Sequence, residues 1–221
     1  MFIKEYITKD YPAFNVSDSV EDAREIVKEF GYSHIFINKN GIFQGTLSRV
    51  FLDENSEKKS SHFLDELQIH YEKFAITEDA NLLDSIRLFH VFNANVIPVI
   101  NIEEQYLGYL SSDDIFNEFS KYPLFSENGA FLVIQTNNKC YSFTEITNIV
   151  ESNNAKIYGC YISGISDDAI QISLKISGEN LRSIGETFER YGYSVLHKYY
   201  DDEKEELVKD RFEFFQKYME F

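Results

Sequence analysis

Gly108-Tyr109-Leu110-Ser111-Ser112-Asp113-Asp114-Ile115 ends an apolar run that begins at Tyr106 and opens into a polar helix start. A glycine inside such a strand leaves room for a ligand or another backbone to come close. Ser111 can cap the first helical turn, and Asp114, three residues on, can reach back to it. Taken alone this is a capping box. Gly45-Thr46-Leu47-Ser48-Arg49-Val50-Phe51-Leu52 repeats the strand, the glycine and the serine at an offset of 108 − 45 = 63 residues. A cap arises easily by chance, whereas a cap inside a doubled unit points to a shared architecture.

Working outward, Asp18 with Glu21 reads as the start of a helix whose apolar face is Val20, Ala23, Ile26, Val27 and Phe30, ended by Gly31. Strands follow at Ile35 to Ile37 and Ile42 to Leu47, joined by a Lys39-Asn40-Gly41 turn. Asp53 to Ser61 is a polar connector, and Leu64, Leu67 and Tyr71 suggest a brief helix. The pattern then restarts. Phe74-Ala75-Ile76-Thr77 mirrors Phe14-Asn15-Val16-Ser17, Asp79 reads as the cap of a helix carrying Leu82, Leu83, Ile86 and Phe89, and Val96 to Ile100 is a strand. Two β-α-β-β units, each too small to bury its own faces, are expected to pack on one another.

The doubled unit, its Ile97-Pro98-Val99 strand and its Gly-x-apolar-Ser-x-x-Asp ending resemble a tandem CBS-domain pair spanning about 1–121, with repeat one about 1–55 and repeat two about 72–121. The resemblance implies a disc with clefts for adenosine-containing ligands, and discs that pair into dimers. Carried over by position, Ser111 would contact ribose or phosphate and Asp114 the ribose diol. Ile76, Ile97 and Pro98 would line the adenine side, and Gly108 and Thr77 belong to the same nucleotide-binding set. Repeat one departs from this pattern. Phe51 stands where the aspartate belongs, and the same offset puts Ile35 where proline is usual, so the resemblance favours the cleft of repeat two. Arg49 and Ser48 remain as a possible phosphate contact, with a surface salt bridge as the plainer reading of Arg49.

Past Lys121 the pattern changes. Tyr122 to Asn128, with Pro123 and the following Gly129, reads as a linker. Strands at Ala130 to Thr136, Ile157 to Ile162, Ala169 to Ile176 and Ser194 to Tyr199 alternate with helices carrying Ile146, Ile149 and Val150, and Leu181, Ile184 and Phe188. That β-α-β-β-α-β order is ferredoxin-like. After a CBS pair, residues 129–200 resemble an ACT domain, a module that often binds amino acids at paired interfaces. The family's ligand glycine would fall at Tyr141, which favours dimerisation over amino-acid binding here. In the tail, 201–221, Leu207, Phe214, Tyr218 and Phe221 share one helical stripe, and Val208, Phe212, Phe215 and Met219 another, so a terminal amphipathic helix is expected. The fold class is thus α/β (α+β): the tandem pair, the ferredoxin-like domain and the terminal helix.

Twenty-one Lys and Arg against thirty-seven Asp and Glu give a net charge of −16, which argues against nucleic acid and anionic membranes as partners. The N-terminus has no apolar signal core, and Cys140 and Cys160 lack metal or CxxC spacing, so they read as reduced thiols of a cytoplasmic protein. No nucleophile–base set, metal pattern or phosphate-cradling loop points to an enzyme. His34, in an apolar run, reads as a core or rim histidine rather than a base. No catalytic residue, metal or cofactor is expected. Two functions remain. One is a homodimeric sensor that binds an adenine nucleotide (AMP, ADP, ATP or related) in the CBS cleft and acts on an unknown regulated partner. The alternative is a structural or interaction protein that only dimerises through its CBS and ACT-like domains.

Overall fold

The computed structural model describes residues 2–54 and 63–200. Contacts divide the chain between Phe119 and Ser120, and each side is described by itself.

The N-terminal unit holds the doubled pattern. Repeat one comprises β1 (Phe14–Asn15), α1 (Val20–Phe30), β2 (His34–Lys39), β3 (Ile42–Ser48) and α2 (Arg49–Glu54). A 3-10 helix at Leu64–His70 leads into repeat two, with β4 (Ile76–Thr77), α3 (Leu82–Val91), β5 (Val96–Ile100), β6 (Tyr106–Ser111) and α4 (Ser112–Phe119). Each repeat makes a three-stranded sheet, β1-β2-β3 and β4-β5-β6, whose first pair is parallel and second antiparallel. Val20, Ala23 and Val27 of α1 are buried with Ile35, Ile37 and Leu47, and Leu82 is buried with Ile97, Val99 and Leu110.

Three details of the sequence reading are corrected. The helix caps are Ser19, which accepts from the Glu21 and Asp22 amides, and Asn81, which makes a reciprocal box with Asp84. Asp18 instead accepts from the Asn15 amide at 2.7 Å and closes the preceding turn. Adjacent polar residues compete for the cap, and backbone geometry decides between them. Second, Gly45 pairs with Ile37 and Gly108 with Val99, separations of 45 − 37 = 8 and 108 − 99 = 9 residues. The second hairpin is one residue longer, so Phe36, not Ile35, takes the place of Pro98. Third, Phe14 pairs with Ile37 and Ile76 with Val99, so Phe14 matches Ile76 and not Phe74.

The two glycines share φ of +148° and a common task. A side chain at Gly108 would collide with the Thr8 carbonyl and Ile7, and one at Gly45 would meet Tyr71 and the Glu72 carbonyl. Thr8 exchanges both backbone hydrogen bonds with Tyr109 at 2.9 Å, and Glu72 does the same with Thr46 at 2.9 Å. Each repeat's leading segment therefore crosses onto the other repeat's sheet, and neither sheet is complete alone.

The C-terminal unit begins with a single turn, α5 (Pro123–Ser126), in the stretch read as a linker. Pro123 occupies its first position, where a missing amide costs nothing, and Leu124 packs over Gly159. Then come β7 (Ala130–Asn137), α6 (Phe143–Ser152), β8 (Ile157–Ile165), β9 (Ala169–Ile176), α7 (Leu181–Arg190) and β10 (Ser194–Tyr200). The sheet order β10-β7-β9-β8, antiparallel throughout, is the ferredoxin-like arrangement. Alternate residues Ile170, Ile172, Leu174 and Ile176 face Ile146, Val150, Ile184 and Phe188 in one core. The predicted terminal helix lies outside the described residues.

Candidate functional site

The site is built where the repeats join. Ser33, just before β2, and Asn95, just before β5, are equivalent residues, and they lock the join reciprocally. The Ser33 amide donates to Asn95 Oδ1 at 2.7 Å, and the Asn95 amide donates to Ser33 Oγ at 2.8 Å. Their carbonyls accept from the first amides of the following helices, Ser33 from Arg49 at 2.7 Å and Asn95 from Ser112 at 2.9 Å. A cleft of about 450 Å³ opens beside this lock, and its polar lining includes Ser33, His34, Ser48, Arg49, Glu72 and Asn95.

His34 is 2% exposed, and burial pulls its imidazole from 6.5 down to about 4, so it is neutral at neutral pH. Its Nδ1 lies 2.9 Å from Ser33 Oγ, and the Phe74 ring meets it edge-on at 5.3 Å. Its Nε2 is buried without a hydrogen-bond partner among the described residues. Glu72 Oε1 stands 3.8 Å away, too far for a hydrogen bond, and a neutral imidazole makes no ion pair with it. Burial pushes the Glu72 carboxyl up. The Arg49 side chain is 44% exposed and reaches Asp53 at 3.9 Å, a screened surface pair.

The residues expected to bind nucleotide are spread unevenly. Ser48 and Arg49 line the cleft. In repeat two, Ser111 Oγ donates to Asp114 Oδ2 at 2.7 Å and accepts from the Asp114 amide at 3.1 Å, so Ser111 caps the helix start while the Asp114 carboxylate is held by the Ser111 hydroxyl rather than by its backbone amide. Ile76 and Ile97 are 6% and 0% exposed within the core. Pro98 is buried opposite Tyr109, Thr77 is exposed, and the open side of Gly108 is taken by Thr8. At Ser48 the same oxygen accepts from the Phe51 amide at 3.2 Å, and the Phe51 ring lies against His70, tilted by 36° with centroids 4.6 Å apart.

The asymmetry between the repeats has an identifiable source. Tyr109 stands two residues before Ser111 on the same strand face, where repeat one has the small Thr46. Its hydroxyl donates to Asp10 Oδ1 at 2.5 Å and meets the Tyr32 hydroxyl at 2.7 Å. Tyr11, 1% exposed, packs edge-on against Phe30, Tyr32, Phe36 and Tyr109. Burial drives the Tyr11 and Tyr109 hydroxyls upward, so both stay protonated. Aromatic packing thus gathers around Tyr109, at the position where repeat one carries the small Thr46. Sequence reasoning placed His34 at the core or rim but missed Glu72, which has no signal beyond its position ahead of Phe74.

Residues 3–50 match the family model of the CBS domain. The same elements recur in repeat two, from Ile76 through Phe119. Among solved structures, the chain is similar to a CBS domain pair/ACT domain protein from Thermotoga maritima, at 18% identity and a TM-score of 0.47, covering 54% of this chain and 96% of that one. It is also similar to CBSX2 in complex with AMP, at 19% identity and 0.46, covering 53% and 95%. A third likeness is to the CBS domains of a transcriptional regulator from Streptococcus pneumoniae, at 14% and 0.45, covering 53% and 98%. No curated protein matches the chain. Among the described residues no helix is long and apolar enough to cross a membrane, and no group of three or more His, Cys, Asp or Glu could hold a metal ion.

Proposed function

We propose that this protein is a regulatory ligand sensor, in which the CBS pair takes an adenine nucleotide and the change is passed on through a homodimer to a regulated partner. CBS-domain proteins commonly bind adenosine-containing ligands and are generally regulatory rather than catalytic. The observation that carries the reading is the polar cleft at the Ser33–Asn95 lock, large enough for part of a nucleotide and lined by hydroxyl, carboxylate, imidazole and guanidinium groups. Because the lock ties both helix starts together, a ligand seated against it touches the join between the repeats. The ferredoxin-like unit is assigned as an ACT-like dimerisation module. Leu83, Ile86 and Val91 of α3, 56%, 46% and 59% exposed, offer a further apolar surface for a second copy.

A thermal-shift panel of AMP, ADP and ATP tests the reading, with light scattering on the same samples. A hundredfold excess over Kd stabilises the native state by roughly 2.7 kcal/mol, a rise on the order of 5 °C. The mass should be about twice the 25.9 kDa of the chain. Melting curves unmoved by all three nucleotides at millimolar concentration would refute the sensor function. The interaction-protein reading has its own support, the mutually satisfied Ser111–Asp114 pair and the aromatic packing beside it, and it would then stand.

A further inference from the structure

Among the described residues, His34 Nε2 at the cleft is a buried polar atom with no hydrogen-bond partner. Whether it carries a proton follows from its neighbours. Ser33 Oγ already accepts from the Asn95 amide, and its other hydrogen-bond contact is His34 Nδ1. The Ser33 proton needs an acceptor, and of these two partners only Nδ1 can accept. Assigning the Ser33 hydroxyl as donor to Nδ1 makes Nδ1 the bare nitrogen and leaves the hydrogen on Nε2. The buried side chain thus holds an unpaired donor at the cleft wall, facing the Glu72 carboxylate oxygen across 3.8 Å. The gap is too wide for a direct bond, yet one oxygen seated about 2.8 Å from each would bridge them. That oxygen must accept from Nε2–H and donate to the carboxylate. A hydroxyl does both. A phosphate oxygen cannot donate, an ammonium cannot accept, and a carbonyl meets the carboxylate with no proton to give.

We propose that His34 and Glu72 form a hydroxyl-reading pair, which seats a ribose hydroxyl of the bound nucleotide between Nε2 and Oε1 and so selects ribonucleotides over their deoxy counterparts. This rests on the nucleotide reading above and deepens it. Burial holds the imidazole neutral, so the donor is present across the neutral range, and the half-exposed Glu72 can shift to receive the ligand. A site whose buried polar groups are completed by a ligand hydroxyl rejects the analogue that lacks it, because the analogue leaves those groups unpaired.

The test is isothermal titration of the full chain with AMP, 2′-deoxy-AMP, 3′-deoxy-AMP and ribose 5-phosphate, repeated on Glu72→Gln and His34→Asn. Asparagine keeps an acceptor for the Ser33 hydroxyl and removes the Nε2 position. The expected result is a loss of at least about tenfold for one deoxy analogue on the wild type. His34→Asn should weaken AMP by a similar factor and no longer distinguish AMP from that analogue, while Glu72→Gln, which keeps an acceptor but loses the charge, should weaken AMP and narrow the distinction. Binding of ribose 5-phosphate that is sensitive to Glu72→Gln upholds the pair while showing that the sugar alone is read. If AMP binds and both deoxy analogues bind equally well, the hydroxyl pair is wrong and the nucleotide function survives; this outcome needs no variant to fold. If no ligand in the set binds, both readings fall together.

Discussion

His34 gives the fold a dependence on pH whose size can be worked out. Burial lowers its imidazole from 6.5 in an open chain to about 4 in the native state. Between those values the unfolded chain binds a proton that the folded chain refuses. The native state is therefore favoured above the unfolded value and loses that advantage as pH falls toward the folded one. From about pH 7.5 to about pH 5.5, position 34 of the unfolded chain goes from roughly a tenth to nine-tenths protonated while the native imidazole stays neutral, a difference of about one pKa unit or ~1.3 kcal/mol. Burial of Glu72 acts with the opposite sign, since a raised carboxyl gains a proton more readily in the native state. It remains in both proteins when His34→Asn is compared with wild type, as does the general relief of the −16 charge. Urea unfolding at the two pH values, in both proteins, isolates the effect. The wild-type midpoint should fall by about half to one molar more than the variant's, for a urea slope of roughly 1–3 kcal/mol/M. Equal shifts in the two proteins would show that His34 is not buried neutral at the cleft wall.

Two further outcomes follow from the backbone. Gly108→Ala adds a methyl group against the Thr8 carbonyl at a positive φ, and should destabilise the N-terminal unit by more than about 1 kcal/mol, measured by urea unfolding; a neutral change would mean that the leading segment does not lie over β6. A fragment ending at Phe119 should unfold cooperatively by circular dichroism, because the α5 turn packs on β8 of the second unit; an insoluble or molten fragment would refute a boundary at that point.

Most elements of both units were legible in the sequence because their signals are local, whereas the short α2 and α5 fell in stretches read as strand end, connector or linker. Alternation from Ile170 to Ile176 and the α1 face ending at Gly31 each follow from one segment's own periodicity. The hairpin offset was not legible, since one added residue between Val99 and Gly108 changes the pairing without changing the pattern. For the site, Ser48 and Arg49 were within reach because they follow the repeated glycine. Glu72 was not, because its place opposite His34 depends on a backbone pairing with Thr46, 26 residues away in the chain. The Ser111–Asp114 spacing suits both a cap and a ligand site, and only coordinates show those side chains bonded to each other.

The crossing of the leading segments also bears on how the protein is made. Among the described residues, the Thr8 backbone pairs with Tyr109, 109 − 8 = 101 residues further on. On the ribosome, therefore, repeat one cannot settle as a finished module while repeat two is still being translated. It waits with part of its first segment unengaged until nearly the whole unit has emerged, and a contact of that range slows closure. The duplicated halves are therefore expected to fold in one event, and a lesion near the N-terminus to be felt first in the second repeat.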